Sequence, residues 1–284
     1  MLLKKTHTIN CGGTLLNFST PCVMGILNVT PDSFFDGGKY IEAGHIEKQV
    51  ENMLSAGVGV LDIGAASSRP GSTQPSTAAE LGRLLPAIKL VRSQFKDIII
   101  SADTCNYEVA KEALDAGAHM INDISGGNEN MYKVIAAYQV PYILMHMQGT
   151  TQTMQINPHY NDVVLDVMNY FNVKLSQLRE FAIHDIILDV GFGFGKTVAY
   201  NYELLGRLKS FEIFDLPILA GVSRKAMINK ILHTSPENAL NGTTVLNTIA
   251  LLNGASVLRV HDVKEALECV KLVNALQKVN QELY

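Results

Sequence analysis

Eight short apolar segments recur along the chain, and nearly every one leads into a polar residue capable of chemistry. Such runs are typical of buried strands, and stretches with helical periodicity separate them. The apolar segments are CVMGIL before Asn28, VGVLDIGA leading to Ser67, IIISA before Asp103, AHMI before Asn122, VPYILM before His146, DIIL before Asp189, LPILAGV before Ser223 and ASVL before Arg259. The predicted helices cover residues 42–56, 77–95, 107–116, 130–139, 160–182, 199–209, 224–233, 239–253 and 262–280.

Strands that alternate with helices predict a parallel sheet, either open and doubly wound or closed. Eight units with polar residues at the strand ends favour closure, because those ends meet at one rim of a barrel. Residues 7–20 resemble a hairpin that turns at Gly12 and Gly13. We therefore expect an α/β fold, a (β/α)8 TIM barrel whose N-terminal hairpin plugs the bottom. The 284 residues fit one barrel domain spanning 1–284, since such barrels need about 250 residues.

The charge pattern and the four cysteines limit the class of protein. A net charge of −4 gives no general attraction to nucleic acid or anionic membranes. The first ten residues lack the apolar stretch of a signal peptide, and no apolar run approaches the ~20 residues that span a bilayer. The cysteines form no C-x-x-C pair and are interpreted as reduced thiols. These features predict a cytoplasmic protein.

Two carboxylates and an amide follow apolar strands directly: Asp103, Asn122 and Asp189. Burying them is costly unless a ligand or a neighbour forms hydrogen bonds with them. A flat, nitrogen-rich heterocycle with an amino-pyrimidinone edge would satisfy all three. Each could instead cap the helix that follows it, although the occurrence of all three at the strand ends favours a ligand.

Cationic side chains follow the last two strands, where barrels often bind phosphate. These are Lys225, Arg259 and His261, and Arg69 on an earlier loop adds another guanidinium. A surface role is the alternative. The chain shows no cluster typical of a caged transition metal, so the pattern favours Mg2+ held by substrate phosphates and few protein oxygens, with Asn28 as the candidate ligand.

The glycine-rich segment GFGFGK at 191–196 matches neither of two phosphate-binding motifs. Lys196 occupies the last glycine position of a dinucleotide fingerprint, and Val190 occupies the first glycine position of a P-loop. Close approach of backbone to a ligand remains an interpretation, with Phe192 or Phe194 forming one side of a pocket or packing beneath the loop. Three long loops, 29–41, 66–77 and 147–159, are expected to be functional rather than simple connectors.

These motifs together resemble the dihydropteroate synthases, pterin enzymes of the folate pathway. The resemblance spans about residues 22 to 265, and it implies transfer of a dihydropterin methyl carbon from pyrophosphate to p-aminobenzoate. It also implies a homodimer formed through outer helices and a sulfonamide target. The matching segments are MGILNVTPDSFFDGG at 24–38, SSRPG at 67–71, SADT at 101–104, IND at 121–123, MHMQGT at 145–150, GFGFGK at 191–196, GVSRK at 221–225 and VLRVHD at 257–262.

The resemblance assigns roles residue by residue. The pterin falls to Asp103, Asn122, Asp189 and Lys225; Mg2+ to Asn28; pyrophosphate to Ser68, Arg69, Arg259 and His261; and the p-aminobenzoate site to Phe34, Phe194 and Ser223. Lys225, Arg259 and His261 are the expected catalytic residues. The chain has Ala66 where many members have Glu, and Val190 where Pro is frequent, but neither change removes a contacting group.

Two other functions fit part of the pattern. A pterin-binding methyltransferase would share the acid–amide–acid set but would not need the phosphate-binding SRK and RVH segments. A non-catalytic pterin-binding protein would bind dihydropterin without releasing pyrophosphate. In the synthase interpretation, the loop bearing Phe34 is expected to close over Mg2+ and pyrophosphate, so that p-aminobenzoate binds second.

Overall fold

The structure is a computed structural model that describes residues 7–29, 39–67 and 71–282. Its strands are β1 Thr8–Cys11, β2 Thr14–Asn17, β3 Cys22–Asn28, β4 Val60–Gly64, β5 Ile99–Asp103, β6 Met120–Asp123, β7 Tyr142–Met145, β8 Ile186–Asp189, β9 Ile218–Ala220 and β10 Val257–Val260. Its α-helices are α1 Lys39–Ala56, α2 Thr77–Gln94, α3 Tyr107–Asp115, α4 Glu129–Tyr138, α5 Val163–Glu180, α6 Val198–Gly206, α7 Ala226–Leu232, α8 Leu240–Leu252 and α9 Val263–Glu282.

Strands β3 to β10 form a closed parallel barrel in chain order. β10 returns to pair with β3, with Val257 opposite Cys22, and this pairing closes the ring. β1 and β2 form a separate antiparallel hairpin that turns at Gly12 and Gly13. The predicted (β/α)8 barrel and its preceding hairpin are therefore confirmed.

The hairpin fills the bottom of the barrel with apolar side chains. Ile9, Cys11 and Phe18 are at most 6% exposed. They pack against the lowest lumen layer, to which each barrel strand contributes one or two aliphatic or sulfur-containing side chains. The layer consists of Cys22, Met24, Val60, Ile99, Met120, Ile143, Ile187, Leu219 and Val257. The plug keeps this end of the lumen apolar.

Successive side chains of a strand point to opposite faces, so every second residue enters the lumen. On β4, Val60 in the bottom layer places Asp62 one layer higher, and on β5, Ile99 likewise places Ser101 and then Asp103. The intervening residues pack outward under the helices in the main core, as Leu61 does. The alternation of side chains along β4 and β5 therefore places polar groups in the lumen toward the carboxyl rim.

Helix boundaries depart from the predicted ones where caps and backbone angles decide them. α5 begins at Val163 because the Asp162 side chain accepts hydrogen bonds from the Val164 and Leu165 N–H groups. α7 begins at Ala226 because Arg224 is left-handed, with φ of 57°. The 3-10 helix Leu208–Phe214 was not predicted.

Two further features concern the surroundings of the protein. All four cysteines are free thiols, and three of them are buried. Within the described ranges, no helix combines the length and apolar character that crossing a bilayer requires.

Candidate active site

The acid–amide–acid set lies together at the carboxyl rim, as predicted from the strand ends. Asp103 ends β5 and is the register partner of Asn122 on β6, while Asp189 ends β8 beside Met145. Asn122 and Asp189 are buried and Asp103 is partly buried. The Gly191 N–H donates to Asp189 Oδ1 at 2.8 Å, which leaves Oδ2 as an acceptor for a ligand.

Arg259 connects this set to a carboxylate that the sequence analysis did not select. Its Nε donates to Asp62 Oδ2 at 2.6 Å, and its Nη2 donates to Asp103 Oδ2 at 2.6 Å. The Asn122 amide donates to the same Asp62 oxygen at 3.0 Å. One guanidinium therefore stabilises two carboxylates in the upper lumen.

The proton affinity of Asp103 reflects this crowding. Burial raises its pKa to about 7; the Arg259 guanidinium opposes that shift, and the Asp62 carboxylate adds to it. Burial raises the pKa of Asp189 too, against the opposing charge of Lys225. The raised pKa values mean that both carboxylates are more basic than in water. A ligand that donates hydrogen bonds to them would stabilise their charged forms.

Lys225 lies at the same rim, on the loop after β9. Its Nζ lies 4.5 Å from the centroid of the Phe194 ring and donates to the Phe192 carbonyl. Burial lowers the Lys225 pKa to about 8, and the Asp189 carboxylate acts in the opposite direction. The ammonium is desolvated and close to an acidic partner, as expected of a group that meets a polar substrate.

Ser223 and His261 join the last two strand ends. The Ser223 hydroxyl lies 3.1 Å from His261 Nδ1 and accepts from the His261 backbone N–H at 3.2 Å. Desolvation by the surrounding loops and the nearby Arg259 guanidinium lower the His261 pKa to about 4. The ring is neutral near pH 7, and Nε2 is the nitrogen left to meet a ligand.

Arg224 holds those two loops together. Its guanidinium forms a bidentate pair with Asp262, with Nε to Oδ2 at 2.9 Å and Nη2 to Oδ1 at 2.7 Å. Its Nη1 donates to the carbonyls of Pro236 and Glu237. A left-handed non-glycine residue costs energy and persists only when its surroundings fix it. These bonds fix the loop that carries Ser223 and Lys225.

A buried lysine, Lys196, organises the glycine-rich loop. Lys196 is 3% exposed and donates to His146 Nδ1 and to the Gly191 and Phe194 carbonyls, each at 2.9 Å. Burial lowers the His146 pKa to about 2, so its ring is neutral and Nδ1 accepts. These bonds tie the segment 191–196 to the residue that follows β7.

The two phenylalanines of this loop differ. Phe192 is fully buried in the main core, so packing beneath the loop describes it. Phe194 belongs to a small apolar cluster at the rim with Ile124, Met145 and Met154. A space of about 240 Å³, which includes open solvent, lies beside Asp103 and is lined by Ala66, Ser67, Gln74, Asp103, Thr104, Cys105 and Ile124.

Of the remaining predicted site residues, the structure describes Asn28. Asn28 ends β3 and is exposed at the rim, opposite Gly64 in register. Phe34, Ser68 and Arg69 lie outside the described residues. Among the residues that the structure does describe, no group of three or more histidine, cysteine or acidic side chains could hold a metal ion.

Comparison with known proteins gives one consistent result. The family model described as pterin binding enzyme matches residues 24–261. The dihydropteroate synthase of Escherichia coli strain K12 is 42% identical over 93% of this chain and 94% of its own length. Two solved structures have TM-scores of 0.90. One is the Yersinia pestis dihydropteroate synthase with a sulfonamide drug, at 39% identity over 96% of this chain and 100% of that one. The other, from Xanthomonas albilineans with 4-aminobenzoic acid, is 35% identical over 96% and 99%.

A closed barrel with an acid–amide–acid set at its carboxyl rim is the architecture of a pterin-binding enzyme. The chain belongs to that family and, within it, to the dihydropteroate synthases.

Proposed function

We propose that the protein joins p-aminobenzoate to 6-hydroxymethyl-7,8-dihydropterin pyrophosphate, forming 7,8-dihydropteroate and releasing pyrophosphate. The observation that carries this proposal is the convergence of Asp103, Asn122 and Asp189 with Lys225 and Arg259 at one rim. The first three offer acceptors and an amide to the heterocycle, and the two cations supply positive charge beside them. The reaction is a transfer, and the chain acts as a transferase.

In this reaction the bond between the pterin methylene carbon and the pyrophosphate oxygen breaks, and the amine nitrogen of p-aminobenzoate bonds to that carbon. The amine then loses a proton. Positive charge develops on the methylene carbon and negative charge on the leaving group. The neutral His261 ring offers an N–H donor, and Arg259 offers its guanidinium, so both stabilise the departing oxygens. The nucleophile needs mainly positioning, which we assign to Ser223 and Phe194.

Mg2+ is part of the proposal, with Asn28 as its protein ligand. Asn28 presents a hard oxygen donor at the exposed rim, which suits Mg2+, but a single neutral amide cannot hold the ion alone. The residues therefore fit an ion that arrives with pyrophosphate, and when bound it would neutralise charge on the leaving group. Ser68 and Arg69 are proposed to contact the phosphates and Phe34 the p-aminobenzoate ring.

A direct assay tests the proposal and separates it from its competitors. The protein is incubated with dihydropterin pyrophosphate, p-aminobenzoate and Mg2+, and dihydropteroate is measured chromatographically. Product formation that an Asp189→Asn variant loses is the expected result. Binding of the pterin without product would identify a non-catalytic binding protein. Since the Yersinia pestis relative is complexed with a sulfonamide drug, we expect sulfonamides to inhibit by competing with p-aminobenzoate.

We also propose a homodimer formed through the outer helices, in the cytoplasm. Leu272, Leu276 and Val279 follow the spacing of one helical stripe on α9 and are each more than half exposed. Exposed apolar patches of this kind mark protein interfaces. Other exposed apolar side chains on α7 and α8 are Ile231, Leu232, Val245 and Leu252. The free thiols fit a reducing compartment.

Sedimentation velocity tests the dimer with a matched pair of variants. Leu276→Glu places a charge in the stripe, whereas Leu165→Glu places one on α5 at the same exposure of 53%. We expect the first variant to sediment as a monomer and the second to remain dimeric. A monomeric wild type would contradict the proposal.

A further inference from the structure

Asp62 is the buried carboxylate of the upper lumen for which neither the sequence motifs nor the proposed reaction supplies a role. It lies inside β4, is fully buried, and pairs in register with Ser101, one layer beneath Asp103. Its Oδ2 accepts from two groups of the site, the Arg259 Nε at 2.6 Å and the Asn122 Nδ2 at 3.0 Å. It therefore touches both the heterocycle half and the phosphate half of the site from below.

The Asn122 amide can be oriented in two ways, and Asp62 selects one of them. A carboxylate only accepts, so the amide nitrogen must face Asp62. The amide oxygen and the second amide hydrogen then face the cavity. A reversed amide would place two acceptor oxygens against each other, so the pattern that Asn122 offers to a ligand depends on the charge below it.

Asp62 also determines which edge of the Arg259 guanidinium is available. Nε is held by Asp62, while Nη2 reaches Asp103 at the rim. The guanidinium is planar and moves as one unit, so the Nε bond to Asp62 fixes the plane from which both Nη groups meet a ligand. Arg259 keeps its place in the lumen because one of its two carboxylate partners lies below the ligand.

The energetics argue against a purely stabilising role. Burying a carboxylate is expensive unless its oxygens are paired. Asp62 Oδ1 is buried and has no hydrogen-bond partner in the described part of the chain. An apolar side chain at this position would avoid that cost, so the stability of the fold does not account for the carboxylate.

We propose that Asp62 is a positioning residue of the transfer reaction: it fixes the Asn122 amide for the pterin ring and holds Arg259 between the ring and the leaving pyrophosphate. This inference rests on the proposed function. Asp62 does not reach the reacting atoms and acts through its two partners.

The decisive variant is Asp62→Asn, which keeps the shape and removes the charge. We expect kcat/KM for the pterin substrate to fall about 10- to 150-fold, the range for losing a charged hydrogen bond. The KM for p-aminobenzoate should stay within threefold. Ser101→Ala is the matched control, because Ser101 is equally buried in the same layer and its hydroxyl also has no described partner. It should change kcat/KM less than threefold.

The pH profile supplies a readout that a structural role would not move. The Asp62 charge raises the pKa of Asp103. In a plot of pterin affinity against pH, the limb that reflects Asp103 ionisation should therefore shift toward lower pH in Asp62→Asn. Ser101→Ala should leave that limb in place. The other charged or titratable groups around Asp103 remain in both variants: Glu80, Cys105, Asp123, Lys225 and Arg259.

Asp62→Asn with kinetics within threefold of wild type overturns the inference, and so does a lowered unfolding midpoint with an unshifted pH limb. Calorimetry with the pterin alcohol runs in parallel. A wild type that binds pterin but makes no dihydropteroate would overturn the proposed function, and an unchanged affinity and pH limb in Asp62→Asn would then also overturn the inference.

Discussion

The two ends of the barrel lumen are built from the same strands and differ completely in chemistry. At the bottom, Ile9 and Phe18 of the hairpin meet a ring of aliphatic and sulfur-containing side chains. Two to four residues further along the same strands, the lumen holds Asp62, Asp103 and Arg259. Strands β4, β5 and β10 therefore each carry a packing residue and a charged residue on the face that lines the lumen.

The difference between the two ends shows that the lower lumen stabilises the fold, whereas the upper lumen reduces its stability. Apolar burial stabilises the lower end by about 25 cal/mol for each Å² removed from water. The upper end contains carboxylates with raised pKa values and an unpaired Asp62 oxygen, and both features cost stability. Changes at the bottom should therefore affect unfolding, and changes at the top should affect ligands.

The largest effect should come from the plug. Phe18→Ala removes a ring that is 6% exposed, and it should lower the free energy of unfolding by about 3–5 kcal/mol because it leaves a cavity. The KM values should stay within twofold, measured at a temperature where the variant is folded. Leu15→Ala on the same hairpin is the control, since Leu15 is 68% exposed. Loss of pterin binding in folded Phe18→Ala would show that the two ends are coupled.

Next in size are the carboxylates of the rim. At pH 8, above the folded Asp103 pKa of about 7, Asp103→Asn and Asp189→Asn should each weaken pterin binding by about 1.5–3 kcal/mol, because each replaces a charged acceptor with an amide. Asp185→Asn just before β8 changes the same residue type at the lower end and should leave affinity unchanged. Isothermal titration with the pterin alcohol measures all three. Affinity within twofold of wild type in both rim variants would remove the acid–amide–acid set from the pterin site.

A third test uses pH, because the ends titrate in different ranges. The folded pKa of Asp103 is about 7 and its ordinary value is 3.8, so between these values the folded state retains a proton that the unfolded chain has lost. The contribution of this proton to the free energy of unfolding is full below pH 3.8 and is lost as pH rises through 7. Between these values the free energy of unfolding falls by about 1.4 kcal/mol per pH unit.

The measurement is urea unfolding of wild type and Asp103→Asn from pH 4 to 8. The difference between the two should change along that slope and flatten above pH 7. At the bottom, burial raises the pKa of Cys11 and of Cys22 from 9.0 to about 12, so these thiols add nothing in this range. A pH-independent difference would mean that Asp103 is ionised throughout.

The sequence predicted most of the fold because apolar periodicity and strand parity are local signals. Asp103 and Asp189 were selected because each ends an apolar run. Asp62 was missed because it lies within such a run, although a charged residue between Leu61 and Ile63 was itself a signal that the strand faces two environments.

Other features could not be predicted because they depend on distant contacts. Arg224 meets Asp262 across 38 residues, and Arg259 meets Asp62 across 197. The buried Lys196 ammonium donates to backbone carbonyls of the glycine-rich loop. The conformation of that loop could not be predicted, because the loop has no hydrophobic periodicity. Residue types indicated chemistry at the rim, whereas the pairing within it required the closed barrel.

The smallest effect we expect tests whether the phosphate side of the rim depends on its supports. Arg224→Lys keeps a charge but loses the two parallel bonds to Asp262, so the loop carrying Ser223 and Lys225 should become less ordered. We expect the binding free energy of the pterin pyrophosphate to weaken by about 1 kcal/mol. This loss should appear as a roughly fivefold rise in its KM, with a smaller change in kcat. Arg207→Lys is the control, since Arg207 also pairs with an aspartate but is 42% exposed on the outer surface. Equal effects of the two substitutions would mean that the arginine pair at the rim serves general stability. A KM effect confined to Arg224→Lys would show that the upper lumen relies on supports beyond the ligand-binding residues.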